Sequence, residues 1–441
     1  QLRMKKLVSF LIFFSILLAS TSQSIDVHFK LDQIGYRPND RKVCVIASPQ
    51  VGYNSPDTYV PGSNLELKKK SDNSTVFSAS PSLWKSGTTH TQSGDKVWWF
   101  DFSSFIIPGN YYVMDATNNK RSYEFTIGNN IYNEALKHAV RFFYYQRCGV
   151  SKTSAYAGSD YTDVACHINT LQDQHCRDVT QPNNTTLEKN LSGGWHDAGD
   201  YNKYTNFTFA TVHYLLDAYE QNPLVFKDNY GIPESGNGIP DILDEVKYEL
   251  DWLLKMQNSD GSVLMKVSTL GFTSGSPPST DTPQRLYGPA ASSATRTLSS
   301  LLAHAHIIFK NFPTYSSFSN TLLVKSELAW TWLQNNPGNS NYNNSGFGSA
   351  NPEVSSYRQN ATSLTAAIYL FAATGKTTYR TYVDNNYNLQ PIQWTYWYPF
   401  ESAFQDALLY YCNTTGATPS VVNAIKNNCT SSITSNNIDL L

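Results

Sequence analysis

Gly193-Gly194-Trp195-His196-Asp197-Ala198-Gly199-Asp200-Tyr201-Asn202-Lys203-Tyr204 is the stretch on which both fold and chemistry turn. Two carboxylates stand three positions apart in it, with Gly199 between them. A helix is a poor setting for that pattern, because a Gly in a helix interior costs about 1 kcal/mol relative to Ala. The expected setting is a Gly-rich loop flanked by aromatics, with Asp197 and Asp200 turned into one cavity. Such a pair can hold and deprotonate a single water. The same residues also suit a surface turn whose Asp side chains satisfy local backbone donors.

The string GGWHDAGDYNKY resembles the signature of family 9 glycoside hydrolases, the inverting cellulases. The resemblance implies hydrolysis of internal β-1,4-glucosidic bonds in cellulose or a related β-glucan. It implies Asp200 as general base for the attacking water, with Asp197 helping to position it. Inverting glycosidases keep their two carboxyl groups about 6.5–9.5 Å apart to admit that water. Trp195, Tyr201 and Tyr204 are the expected sugar-ring platforms, and Trp394, Tyr396 and Trp397 are further candidates. With 29 Tyr, 22 Phe and 9 Trp in the chain, most aromatics are expected in the core instead.

Upstream, Lys5 and Lys6 follow Met4, and an apolar run from Leu7 to Ala19 gives way to small or polar residues through Ser24. Residues 4–24 read as a secretory signal peptide, too short for a membrane span. The mature chain is expected outside the cell, as a monomer, with no membrane partner after the signal is removed. Charged residues make up 15% of the chain and the net charge is −2, so nucleic acid is not a natural partner either. Sequons at Asn73, Asn183, Asn184, Asn190, Asn206, Asn343, Asn360, Asn413 and Asn428 predict a glycosylated surface.

Residues 25–128 read as short strands: Val27 to Leu31, Lys42 to Ala47, Leu65 to Lys69, Val97 to Phe102, Tyr111 to Asp115 and Tyr123 to Ile127. Turn residues such as Pro108-Gly109-Asn110 separate them, which predicts an antiparallel sandwich. Gln33-Ile34-Gly35-Tyr36 resembles the opening strand of the immunoglobulin-like module that precedes the catalytic domain in one branch of the family. Residues 129–441 carry helical periodicity, with apolar residues such as Ala135, Leu136, Ala139, Val140 and Phe143 on one face. About eight helices are predicted there, against the twelve of the (α/α)6 barrel that the resemblance implies. The family's C-terminal third, with the Glu that serves as general acid, has no counterpart motif. Glu401 is the nearest late candidate, in a context that does not fit. A partial coding sequence, inactive as it stands, is the expectation. A glucan-binding protein without hydrolytic activity and a hydrolase of an amino-sugar polymer are the alternatives.

Six Cys in a secreted chain suggest disulfides, with Cys148–Cys166 and Cys412–Cys429 as possible pairs and Cys44 as a buried strand residue. Cys148, Cys166, His167 and His196 equally suit a Cys2His2 zinc site. The resemblance favours zinc, since relatives with the immunoglobulin-like module hold a structural zinc with matching residues. His175-Cys176 is a competing ligand pair. Gly238-Ile239-Pro240-Asp241-Ile242-Leu243-Asp244-Glu245 also resembles the family, although acids in a first helical turn need no role beyond the helix dipole. Met265 stands where many relatives carry a cleft His, and Asn360-Ala361-Thr362 lacks the Asp-Glu pair that helps bind calcium in relatives. Calcium is not expected at that helix start.

Overall fold

The computed structural model describes residues 24–434, apart from 274, 339–341, 345, 349–352 and 390–400. The expected signal peptide (save Ser24), the Trp394, Tyr396 and Trp397 platforms and the closing Asp439-Leu440-Leu441 lie outside the described residues. Two compact units divide the chain, Gln1–Leu136 and Lys137–Leu441.

Strands of the first unit are β1 (Ser24–Ile25), β2 (Phe29–Lys30), β3 (Val43–Pro49), β4 (Leu65–Lys69), β5 (Thr75–Ala79), β6 (Ser82–Leu83), β7 (Asp95–Asp101), β8 (Gly109–Asp115), β9 (Lys120–Arg121) and β10 (Phe125–Ile127). One sheet runs β1-β9-β8-β4-β5 with β10 also on β8, and the other runs β2-β3-β7-β6. Alternation decides which side chains face inward. Cys44, Ile46, Trp98 and Phe100 from one sheet meet Leu65, Leu67, Tyr111 and Val113 from the other in a single core. Burying each large apolar side chain there is worth about 1.5–3 kcal/mol. This is the immunoglobulin-like sandwich. Sequence pattern alone misses β5, because Thr75-Val76-Phe77-Ser78-Ala79 has one strongly apolar aromatic and no clean alternation. It pairs with β4 across a turn in which Asn73 takes φ +58°.

In the second unit the helices of ten residues or more are α1 (Asn133–Gln146), α2 (Thr208–Gln221), α3 (Asp241–Met256), α4 (Ser292–Phe309), α5 (Ser316–Asn335), α6 (Ser356–Thr374), α7 (Thr377–Asn386), α8 (Ser402–Asn413) and α9 (Pro419–Ser432). Short links fold α4 with α5, α6 with α7 and α8 with α9 into hairpins, and longer segments connect the rest. Helix α4 is buried almost all round. Small residues let its neighbours approach: Ser299 and Ser326 on α5 exchange hydroxyl-to-carbonyl hydrogen bonds at 3.1 and 2.6 Å. Arg296 donates to Gln359 and Ser363 of α6 at 2.7 and 2.8 Å. Helix α7 is absent from the sequence prediction. Its ten residues are mostly polar and only Tyr379 and Val383 are buried, while Gly375 in the left-handed region (φ +67°) caps α6 just before it. Among the described residues no helix is long and apolar enough to cross a membrane.

A small sheet is set among the helices, ordered β11 (Arg177–Asp178), β14 (Leu286–Tyr287), β13 (Lys266–Ser268) and β12 (Lys203–Tyr204). Strand β12 is the end of the Gly193–Tyr204 stretch, and its pairing with β13 anchors that stretch.

Candidate active site

The loop is held from its two ends. At the entry, Gly194 takes φ +74°, and a Cβ there would stand 2.7 Å from Trp252 Cγ. Its carbonyl accepts from the Cys148 N–H at 2.7 Å, and the His196 N–H donates to the Gln146 carbonyl at 2.8 Å. The Trp195 N–H donates to Glu249 Oε2 of α3 at 2.6 Å. At the exit, the buried Lys203 ammonium donates to the carbonyls of Leu191 and Gly193 at 2.8 and 2.7 Å. It also pairs with Asp173 at 2.6 Å. Arg285 reaches Asp173 at 2.8 Å and the Tyr201 carbonyl at 2.9 Å. All three charges are buried, and their mutual pairing is what makes such burial tolerable, even with Arg285 Nη1 left without a hydrogen-bond partner.

Between those anchors lie the two acids. The Asp197 N–H donates to the Asn202 carbonyl at 2.9 Å, which closes the loop, and Tyr201 takes φ +54° inside it. Asp200 is buried and is oriented by Asn202, whose side-chain amide donates at 2.8 Å and whose N–H donates at 3.2 Å. Asp197 opens to solvent, and its carboxylate has no hydrogen-bond partner among the described residues. Partial removal from water, and then the negative charge of Asp200, push its carboxyl up to about 6. The two acids therefore feel each other. Lys266 on β13 is buried, with its ammonium on the Phe347 carbonyl at 2.5 Å and above the Tyr204 ring at 5.3 Å. Burial pulls its pKa down to about 8 against the opposing pull of Asp200.

Asp197 faces a cavity of about 120 Å³ lined by Phe142, Phe143, Trp195, Tyr204, Phe207 and the polar Gln146, His196, Thr208 and Thr211. Trp195 packs on Phe143 with centroids 4.7 Å apart, and Tyr204 on Phe207 at 4.5 Å. Two of the three expected sugar platforms thus line the cavity. Tyr201 does not: its hydroxyl donates to the Gly275 carbonyl at 2.5 Å, and its ring lies against His196 and His167. Met265 is buried and fills the space beside Gly288. Glu401 is not among the lining residues; it is buried beside Arg358, whose guanidinium donates to it at 3.4 Å.

Cys148, Cys166, His167 and His196 converge, all buried, with one ligand atom from each within 4.8 Å of the others. The separations are 3.6 Å for Cys148 to His167, 3.7 Å for Cys166 to His196, and 3.4 Å between the two imidazoles. A tetrahedral zinc with bonds of 2.0–2.3 Å has ligand-to-ligand edges of about 3.3–3.8 Å, so this donor set fits that ion. Asp281 accepts from the far nitrogen of His167 at 3.0 Å, the second contact that fixes a ligating imidazole. Both cysteines are free thiols, as are Cys412 and Cys429, so neither anticipated disulfide forms. The competing His175-Cys176 pair is drawn elsewhere: His175 bonds Glu188 at 2.7 Å, and Cys176 is buried against the Arg285 carbonyl.

Sequence reasoning missed Asp173, Lys203, Arg285, Glu249 and Lys266. One signal was available for Glu249: it follows Glu245 by four residues, so both acids fall on the buried face of α3. Burial pushes Glu249 up to about 8.

Comparison with known proteins covers both units. Residues 132–438 match glycosyl hydrolase family 9, and residues 26–120 match the cellulase N-terminal ig-like domain. Endoglucanase D of Acetivibrio thermocellus is 34% identical over 330 residues, covering 73% of this chain and 48% of that protein. A cellodextrinase of Butyrivibrio fibrisolvens is 33% identical over 249 residues, 56% of this chain and 43% of its own length. The crystal structure of a metagenome-derived family 9 endoglucanase superposes with a TM-score of 0.73 at 27% identity, covering 91% of this chain and 71% of that one. This chain spans about half the length of the curated relatives it matches. A sandwich unit and a helical unit, each matched in this way, make the chain a member of glycosyl hydrolase family 9.

Proposed function

We propose that this chain hydrolyses internal β-1,4 bonds of cellulose or a related β-glucan with inversion, Asp200 acting as general base and Asp197 helping to hold the attacking water. The observation that carries this reading is the placing of two carboxylates in one short loop, Asp200 buried on Asn202 and Asp197 lining the cavity; burial first, and then the charge of Asp200, raises Asp197 to about 6. Asn202 leaves Asp200 buried and oriented, as a group that takes a proton from one fixed direction should be. Asp197, without a side-chain partner among the described residues and open to the cavity, accepts the second hydrogen of the same water. Trp195 and Tyr204, both largely buried, form the aromatic wall of the cavity against which a pyranose ring would rest, and Tyr201 supports the loop from behind.

Asp197 is the one carboxylate among the described cavity-lining residues. The proton for the leaving oxygen is therefore assigned to a Glu outside these residues. Cys148, Cys166, His167 and His196 would hold one structural zinc, which when bound supplies four strong bonds beside Asp197 and takes no part in the hydrolytic step. The working location is proposed to be extracellular, on the strength of the signal-like start and the sequons.

β-Cellobiosyl fluoride tests the base half alone, because fluoride leaves without a proton. Asp200→Ala should abolish its hydrolysis, and the wild-type product should carry the inverted anomer by NMR. A retained anomer, or full activity in Asp200→Ala, overturns the assignment.

A further inference from the structure

At the far end of α2 from the acidic loop stands a second group of metal-binding side chains. Asp217 and Glu220, one helical turn apart on α2, face His304 of α4, with one ligand atom from each within 4.8 Å of the others. His304 Nε2 is 3.0 Å from Glu220 Oε2 and 3.6 Å from Asp217 Oδ1. His304 is fully buried, and the Tyr369 ring stacks on it at 4.0 Å. Asp217 Oδ2 is buried with no well-formed hydrogen bond. Among the described residues neither carboxylate pairs with a Lys or Arg.

Proton accounting shows what the cluster lacks. The Ser300 hydroxyl spends its one hydrogen on the Thr297 carbonyl at 2.9 Å. It must therefore accept from His213 Nε2, which lies 3.2 Å away. With His213 neutral, as complete burial favours, its Nδ1 is an acceptor. His304 Nδ1, 2.9 Å distant, is then the donor. With its Nδ1 hydrogen so used, His304 turns Nε2 toward two carboxylates. That arrangement is repulsive unless a positive charge lies between the three groups. A proton leaves one carboxylate uncompensated; a divalent ion balances both.

We infer that Asp217, Glu220 and His304 form a second metal site, taking a divalent transition ion of the zinc class, with solvent completing the coordination. One imidazole and two carboxylates suit such an ion. Ligand separations of 3.0 and 3.6 Å are close to the edges that bonds of about 2.0–2.2 Å produce. Outer support is already in place. His213 takes the Nδ1 hydrogen of His304, and the Tyr410 hydroxyl donates to Glu220 Oε1 at 3.2 Å. Asp217 and Glu220 are only half-buried, which leaves a path for the ion. The site ties α2 to α4 and is independent of the Cys148 cluster.

Cobalt separates the two sites. The full chain is dialysed against a mild chelator and titrated with Co²⁺. One equivalent should bind with visible d–d absorption but no thiolate-to-cobalt charge transfer. The pair Asp217→Asn and Glu220→Gln should weaken that equivalent at least 10-fold and leave any thiolate-ligated cobalt untouched. Should the variants fail to fold, Zn²⁺ added to the wild type should still displace the His304 Nε2 proton seen by NMR. Uptake confined to thiolate-ligated cobalt, undiminished uptake in the double variant, or a His304 ring that stays doubly protonated in excess Zn²⁺ overturns the proposal.

Discussion

Two donor clusters, one beside the acidic loop and one at the C-terminal end of α2, differ in how the chain assembles them. Beside the acidic loop, Cys148, Cys166, His167 and His196 come from loops within fifty residues of one another, and two of the four ligands are soft sulfur. At the end of α2, Asp217, Glu220 and His304 come from two helices separated by more than eighty residues, with nitrogen and oxygen only. The first cluster shapes a loop and the second braces helix against helix. A metal in the loop cluster should therefore matter for the fold of a segment with little regular structure of its own. One in the helical cluster adds to packing that already exists.

Removing the loop cluster's ion is the severest test of that contrast. Structural zinc contributes about 10–16 kcal/mol in small zinc-folded peptides. Even a third of that should lower the melting temperature of the helical unit by about 7–20 °C, at about 2–4 °C per kcal/mol for large domains. Cys148→Ser should lose the ion by elemental analysis and melt early by calorimetry, whereas Glu220→Gln should shift melting only slightly. Equal shifts would break the comparison.

Next in size is the chemistry beside the cluster. Asp200→Ala should reduce turnover of activated glucosides by about 10²–10⁴-fold, as loss of a general base does. Melting temperature should hardly move, which calorimetry on the same preparation checks. A smaller effect probes how the loop is braced. Gly194→Ala places a methyl group 2.7 Å from Trp252 at a left-handed φ; overpacking of this kind costs about 1–3 kcal/mol in denaturant melts. Gly199→Ala, with nothing within 4 Å of its new methyl, should be close to neutral.

The last effect is a pH slope. Glu249 is raised from 4.5 to about 8 by burial, so the folded state holds a proton that the unfolded state releases. Its contribution is complete below pH 4.5 and fades as pH climbs towards 8. Glu249→Gln, which keeps an acceptor for the Trp195 N–H, should flatten the decline of melting temperature across that window. An unchanged slope would show that Glu249 is ionised in the fold.

Legibility followed the range of the interactions. Strand alternation at Cys44 and Ile46 and helical periodicity in α1 are local, so the sandwich and most helices could be read directly. The loop was legible because its two acids and their Gly lie side by side. The buried Asp173, Lys203 and Arg285 network joins three distant segments, and each residue alone looks like an ordinary surface charge. The same holds for His213 and His304, which meet across 91 positions. Helix α7 escaped notice because its buried face is two residues wide.

The Asp197 carboxylate takes no part in holding its own loop. Trp195 hangs from Glu249, Lys203 clasps Leu191 and Gly193, and the contact that closes the turn uses the Asp197 backbone N–H. Activity and architecture are thus separable by a single substitution at the open acid. A lineage could shed hydrolysis while keeping the aromatic wall, the sandwich and the helical hairpins intact. If Asp197 acts as proposed, a substitution there would remove hydrolysis and leave the hydrogen bonds that brace the loop in place.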